Sequence, residues 1–110
     1  MDMAGAVRAW RMILGEAERL EGLAGRAHGE GARVARLAVM VLESIADKVL
    51  AGAVSAGDLE RLEELETLLR LYGLPTGPVR AARSIVLRSS KIRPAPSPGV
   101  NALGGIIALA

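Results

Sequence analysis

The sequence predicts an all-α protein, a small bundle of about four helices followed by a Pro-rich linker and an apolar C-terminal segment. Between residues 3 and 90, apolar residues recur at spacings of three and four, which is the pattern of one face of a helix. Glycine and proline interrupt the pattern near residues 25–31, 52 and 73–78. The apolar residues are mostly Ala, Leu, Val and Ile, with no Phe, a composition that suits closely packed helices.

The first predicted helix runs from Met3 to about Ala27. Its core face contains Trp10, Ile13, Ala17, Leu20 and Ala24. At 100° per residue, Arg8, Arg19 and Arg26 fall within about 20° of one another on the opposite side. Gly15 and Gly22 lie beside them, although glycine inside a helix costs about 1 kcal/mol relative to alanine. This stripe indicates close approach of a phosphate backbone or of another helix, and a solvated arginine face is an equal alternative.

The second predicted helix spans Arg33 to Leu50, and its apolar residues cover so wide an arc that they predict burial on more than one side. They are Val34, Leu37, Ala38, Val41, Leu42, Ile45 and Leu50. Arg33 joins the arginine stripe only if the helix resumes in register after Gly29 and Gly31. The sequence leaves open whether residues 27–32 are continuous helix or a hinge.

The third predicted helix begins at Ser55, which forms a variant of the capping box with Asp58. Its core face contains Leu59, Leu62, Leu65, Leu69 and Tyr72. Gly73 predicts a left-handed C-cap, and Pro75 prevents the helix from continuing.

The fourth predicted helix has Pro78 in its first turn, where the missing N–H costs nothing. Its apolar side contains Val79, Ala82, Ile85, Val86 and, less regularly, Leu87. The basic residues that follow or project elsewhere are candidates for binding phosphates: Arg80, Arg83, Arg88, Lys91 and Arg93. For Arg88 and Lys91, a favourable interaction with the helix dipole is an alternative explanation.

Charge is segregated along the chain. Residues 1–50 are neutral, residues 51–76 carry a net charge of −3, and residues 77–110 carry +5 with no acidic side chain. This distribution predicts that the basic end attracts polyanions. Arginine outnumbers lysine twelve to two, which fits a heat-adapted source and equally a GC-rich genome.

Three regions are predicted: a helical domain at 1–93, a linker at 94–99 with the sequence PAPSPG, and an apolar segment at 100–110. The last segment, VNALGGIIALA, has no charged side chain. It is expected to dock on its own bundle, on a neighbouring subunit or on an apolar surface such as lipid. A neighbouring subunit is favoured because a segment that binds its own bundle would need no linker.

The composition argues against an enzyme. The chain has no cysteine and one histidine, which excludes thiolate metal sites, disulfides and Cys-His catalysis. It contains no phosphate-binding glycine loop, zinc spacing, nucleophile elbow or dinucleotide fingerprint. We therefore expect no catalytic residue, no metal ligand and no cofactor. No secretory signal is apparent and no stretch is apolar enough to span a bilayer, so a soluble protein is expected.

One short segment carries a family resemblance. It consists of Leu71, Tyr72 and Gly73, then Thr76, Gly77 and Pro78, then Arg80 and Ala81. This segment resembles one in the major coat proteins of archaeal rod-shaped viruses, the rudiviruses, which share a fold with the coat proteins of archaeal filamentous viruses. There too, an apolar-aromatic-glycine helix end leads through a Thr-Gly-Pro turn into a helix that begins with an Arg-Ala pair.

The resemblance implies a helical bundle preceded by N-terminal helices that wrap linear double-stranded DNA in the A form. Many copies would polymerise into a helical filament, located in the virion and, during assembly, in the host cytoplasm. Related viruses pair two paralogous coat proteins, so the implied partners are DNA, copies of this chain and a paralogue. The implied DNA-binding residues are Arg8, Arg11, Arg19, Arg26, Arg33 and Arg36. The chain departs from the family in being shorter, in lacking a long basic N-terminal arm and in its basic C-terminal end.

Two other functions compete with a DNA-wrapping coat protein. One is a small helical adaptor subunit of a cytosolic nucleoprotein complex. The other, which is less favoured, is a peripheral membrane protein with residues 100–110 as an anchor and the basic residues from Arg80 to Arg93 against anionic lipid. The near absence of aromatic side chains argues against a binding platform for single-stranded nucleic acid.

Overall fold

The structure, a computed structural model, describes residues 3–90 and consists there of four α-helices without a strand. The helices are α1 (Met3–Leu23), α2 (Gly29–Ala51), α3 (Ala56–Leu71) and α4 (Gly77–Ser90). The predicted all-α bundle is confirmed. The predicted linker at 94–99, the apolar segment at 100–110, and Lys91 and Arg93 lie outside the described residues.

Short turns connect the helices, so neighbours in sequence pack against each other with opposite directions. Helix α1 contacts α2 and α4, and α3 contacts the same two helices. Within residues 3–90, the backbones of α1 and α3 do not come close to each other, because the two helices occupy diagonal positions in the bundle. The outward faces of α1 and α3 therefore point to opposite sides of the protein.

All four helices contribute to one core. Its fully buried members with the largest side chains include Ile13, Leu20, Leu42, Ile45, Leu62, Leu69, Val79 and Val86. Each such side chain contributes about 1.5–3 kcal/mol through removal of apolar surface from water. Small residues such as Ala9, Ala38 and Ala82 are also buried, and they let the helices approach closely.

The predicted left-handed conformation of Gly73 is confirmed, and Gly52, predicted only to break a helix, adopts the same conformation. Gly52 and Gly73 adopt left-handed conformations with φ of 70° and 69°. At Gly73, the Leu74 N–H donates to the Leu69 carbonyl at 2.8 Å, which satisfies one of the last carbonyls of α3. Pro78 is buried in the first turn of α4, as predicted.

The predicted end of the first helix is wrong. Helix α1 ends at Leu23, and residues 24–28 form a turn before α2 begins at Gly29, whose φ is 59°. The Gly25 N–H donates to the Gly22 carbonyl at 3.3 Å, so the chain tightens after the last helical turn. Glycine at positions 22 and 25 weakens the helix there. Residues 27–32 are thus neither wholly helix nor wholly hinge, since helix resumes at Gly29.

Two predicted core residues are exposed. Leu37 on α2 is 47% exposed, because it lies about 120° around the helix from the centre of the buried face. Tyr72 is 42% exposed, because α3 ends at Leu71 and Tyr72 lies in the cap beyond the last helical turn. None of the described helices is long and apolar enough to cross a membrane.

Candidate nucleic-acid interface

The outward face of α1 is basic and open. Arg8, Arg11 and Arg19 are exposed on the side opposite the buried Ile13 and Leu20. A Cβ atom added to Gly15 or Gly22 would meet nothing within 4 Å, so no described part of the chain covers the backbone there. One interpretation of Gly15 and Gly22 is that they let another helix approach α1 closely. That helix is therefore not α2, α3 or α4.

The predicted single arginine stripe is wrong in its second half. Because α1 ends at Leu23, Arg26 lies in the turn and does not continue the row of Arg8 and Arg19. Arg33 and Arg36 belong to α2, which runs back along α1. The six N-terminal arginines are therefore divided between the outward face of α1 and the α1–α2 end of the bundle.

Four of the predicted DNA-binding arginines form ion pairs within the chain. The pairs are Arg19 with Glu16 at 3.1 Å, Arg33 with Glu30 at 3.4 Å, Arg80 with Glu66 at 3.3 Å and Arg83 with Glu63 at 2.6 Å. The last two connect α4 to α3, so the acidic helix supplies counter-charges to the basic one. Such exposed pairs contribute only about 0–1 kcal/mol each.

Five of the predicted DNA-binding arginines make no ion pair with any described residue: Arg8, Arg11, Arg26, Arg36 and Arg88. All five are exposed. A guanidinium group stays charged at any physiological pH and presents five donors in a planar fork that matches a phosphate. These five side chains are the available anion-binding groups of the candidate interface.

The available arginines form two groups at opposite ends of the bundle. A Cβ on Gly77 would lie 3.4 Å from Arg19 Nη2, which places the start of α4 beside Arg19. Counting eleven residues along each antiparallel helix, from 77 to 88 and from 19 back to 8, brings Arg88 to the level of Arg8. Arg8, Arg11 and Arg88 thus lie towards the same end of the bundle, and we call them the first group.

The second group consists of Arg26 and Arg36 at the α1–α2 turn. Arg36 lines a cleft of about 260 Å³ whose other walls are mostly small residues, including Ala24, Gly25 and Ala32. Glu21 also lines this cleft and offsets part of its positive charge. Arg8 and Arg11 of the first group have no acidic residue near them in α1, since residues 3–15 contain two arginines and no acid.

Asp58 is a buried carboxylate with a structural role. It is 5% exposed, and it accepts hydrogen bonds from Lys48 Nζ at 2.8 Å and from the Ser55 backbone N–H at 2.9 Å. Burial acts to raise the pKa of Asp58, but the hydrogen bonds and the charge of Lys48 outweigh it and hold that pKa below its usual value. The predicted capping box is confirmed, and it also links α3 to α2.

Sequence reasoning missed one surface, an apolar groove between α2 and α3. Its walls are formed by Leu37, Val41, Leu65 and Leu68. The wide apolar arc of α2 was the signal, because a helix with more apolar residues than its neighbours can cover leaves some of them at the surface.

No protein-family model, curated protein or solved structure matches the chain. The resemblance of residues 71–81 to the rudivirus coat proteins therefore stays a prediction. The structure places these residues at the end of α3, in the glycine cap and in the first turns of α4.

Proposed function

We propose that this chain is a structural virion protein that wraps linear double-stranded DNA without sequence specificity and polymerises into a helical filament. The observation that carries the proposal is the exposed face of α1, where Arg8 and Arg11 have no ion-pair partner among the described residues and Gly15 leaves the backbone open. Arginine forks bind phosphate oxygens without reading bases, and small residues let a duplex come close to the helix.

The two arginine groups suit an extended polyanion better than a small anion. Arg8 and the turn that contains Arg26 lie roughly 25 Å apart along α1, given a rise of 1.5 Å per residue. A duplex carries one charge per about 1.7 Å of its axis, so both groups can contact the same DNA at separate phosphates. A small ligand would reach only one of them.

The aromatic residues support a duplex rather than a single strand as the partner. Trp10 Nε1 donates a hydrogen bond to Asp47 Oδ1 at 3.1 Å, which holds the indole between α1 and α2. Tyr72 is the C-cap residue of α3 and stands alone there as an aromatic side chain among the described residues of that helix. Single-strand binding platforms stack successive bases on several aromatic rings, and this chain has two in total.

Assembly into a filament requires contacts between copies of this chain, or between this chain and a paralogous coat protein. Leu37 of the apolar groove is 47% exposed, and the uncharged sequence of residues 100–110 is a candidate for a second contact. A contact between two different surfaces generates an open helical polymer when its rotation does not close. Such a protein would act in the virion and, before assembly, in the host cytoplasm.

A small helical adaptor subunit of a cytosolic nucleoprotein complex is the second candidate. The pairing of Arg80 with Glu66 and of Arg83 with Glu63 favours it, because these arginines already have partners inside the chain. An adaptor would form a complex of fixed stoichiometry rather than a filament.

Fluorescence anisotropy with labelled DNA tests the DNA part of the proposal. The protein is titrated into two linear duplexes of unrelated sequence and into one of their single strands. We expect equal affinities for the two duplexes, weaker binding to the single strand and a steep loss of affinity with added salt. Binding of one duplex only, or of neither at low salt, would contradict a sequence-independent DNA coat.

A further inference from the structure

The groove between α2 and α3 is an apolar surface of the described part of the chain. Leu37, Val41, Leu65 and Leu68 form its walls, and its volume is about 230 Å³. Leu37 is 47% exposed, and Met40 one turn further on is 60% exposed. Exposed apolar side chains that adjoin a groove usually mark a surface that another segment covers.

The rim of the groove selects the charge of its occupant. Arg61 and Glu64 both line it, and their charges cancel. A strongly basic or acidic peptide would therefore gain little electrostatic attraction from the rim. An uncharged apolar peptide would bind through the apolar walls without needing a charged partner. A groove with apolar walls and no net charge at its rim suits an apolar segment that has no charged side chain.

Such a segment is present in the chain itself, outside the described residues. Residues 100–110 contain no charged side chain and include Leu103, Ile106 and Ile107. Burying each of these side chains would contribute about 1.5–3 kcal/mol, which is a sufficient reason for the segment to leave water. We propose that residues 100–110 of one copy bind in the α2–α3 groove of a second copy.

The course of α4 favours a second copy over the same chain. Arg83 pairs with Glu63 and Arg80 with Glu66, so α4 runs antiparallel to α3 and Ser90 lies near the start of α3. The groove opens on the other side of α3, towards α2. To reach it, the same chain would have to reverse direction and pass around α3 or over the α2–α3 turn.

The sequence after Ser90 opposes such a reversal. Residues 94–99 contain three prolines, which favour an extended and semi-rigid backbone that spans about 3.1 Å per residue. A sequence of this kind favours a segment that binds a neighbour over one that folds back on its own bundle. The contact joins two different surfaces of the protein. Repeated from copy to copy, it generates an open helical polymer when its rotation does not close. The inference deepens the assembly part of the proposed function and rests on it, but it needs no DNA.

Disulfide trapping tests the contact, because the full chain contains no cysteine and each introduced thiol is unique. One chain carries Leu68→Cys in the groove and the other carries Ile106→Cys in the apolar segment. The two are mixed without DNA and oxidised. The control mixture replaces the groove variant with Ser84→Cys, which lies on the exposed face of α4. We expect disulfide-linked heterodimers in the first mixture and only background in the control.

A chain that carries both Leu68→Cys and Ile106→Cys distinguishes a second copy from the same chain. Linked dimers and larger species that decrease on dilution support the proposal. An intramolecular disulfide that is insensitive to dilution would overturn it, as would trapping no stronger than in the Ser84→Cys control.

Sedimentation of the full chain with Leu37→Glu gives an independent readout without thiols. We expect this variant to lose the concentration-dependent association of the wild-type chain while its helical circular dichroism is retained. Unchanged association would overturn the proposed groove. DNA anisotropy is measured on the same samples. If the protein binds DNA but no disulfide is trapped, only the groove contact is contradicted. If the disulfide is trapped but the protein does not bind DNA, only the DNA-coating function is contradicted.

Discussion

Lys48 Nζ lies 2.8 Å from Asp58 Oδ1 and joins the last turn of α2 to the first turn of α3. The same carboxylate accepts the Ser55 N–H at 2.9 Å, so one buried side chain both caps α3 and fixes the α2–α3 turn. This corner sets how α3 packs against α2, and it thereby shapes one end of the apolar groove.

Replacing Asp58 with alanine should destabilise the bundle. The change removes the cap of α3 and leaves Lys48 without its partner, and we expect it to cost about 2 kcal/mol of unfolding free energy. Urea denaturation measures the cost. The control Glu60→Ala removes a carboxylate from the exposed side of the same helix and should change stability by less than about 0.5 kcal/mol. Equal effects of the two changes would show that Asp58 has no special role.

The stability that Asp58 contributes should depend on pH. Its folded-state pKa lies below the unfolded value of about 3.9, so the ionised carboxylate stabilises the fold above about pH 4. That contribution is lost as the pH falls through the folded-state pKa. The difference in unfolding free energy between the wild type and Asp58→Asn should therefore be largest near neutral pH and shrink in acid. A difference that stays constant or grows in acid would contradict the assigned ion pair.

Leu42 and Leu37 should respond differently to truncation although they lie on the same helix. Leu42 is 0% exposed, and Leu42→Ala should cost about 2–5 kcal/mol because it leaves a cavity in the core. Leu37→Ala should cost less than about 1 kcal/mol in dilute protein, since nearly half of that side chain is already in water. Thermal denaturation at low concentration compares the two, and a large loss for Leu37→Ala would place this residue in the core after all.

The first arginine group should bind phosphates. Replacing Arg8 and Arg11 with alanine should weaken binding to all duplexes about equally and reduce the slope of log K against log salt by about 2, one unit for each lost phosphate contact. The control is the single change Arg70→Ala on α3, compared with the single change Arg8→Ala. Arg70 pairs with Glu66 and does not line the groove, so its loss should leave the slope unchanged. An equal reduction in the Arg8→Ala and Arg70→Ala variants would mean that only net charge matters.

The helices and their caps could be predicted from local sequence. Each of these signals acts within a few residues, so its effect can be predicted without knowing the fold. The signals are the capping box of Ser55 and Asp58, the cap at Gly73 and Pro78 in the first turn of α4. The periodicity of Leu59, Leu62, Leu65 and Leu69 identified the core face of α3 because leucines alternate there with acids.

The arrangement of the candidate interface could not be predicted in this way. Whether Arg26 continues the stripe of Arg8 depends on where α1 ends, and glycines at 22 and 25 weaken the helix without fixing its last residue. Whether Arg83 is available depends on Glu63, twenty residues away, which only the packing of α3 against α4 brings within 2.6 Å. The exposure of Leu37 likewise depends on how much of α2 its neighbours cover.

Negative-stain electron microscopy of the full chain, alone and mixed with linear double-stranded DNA at low salt, tests the central claim most directly. A DNA-wrapping coat protein predicts regular filaments of uniform diameter in the mixture, with lengths that follow the length of the DNA. Small particles of fixed size in both samples, with the DNA bare and the protein in excess and shown by circular dichroism to be folded, would contradict the claim and favour the adaptor.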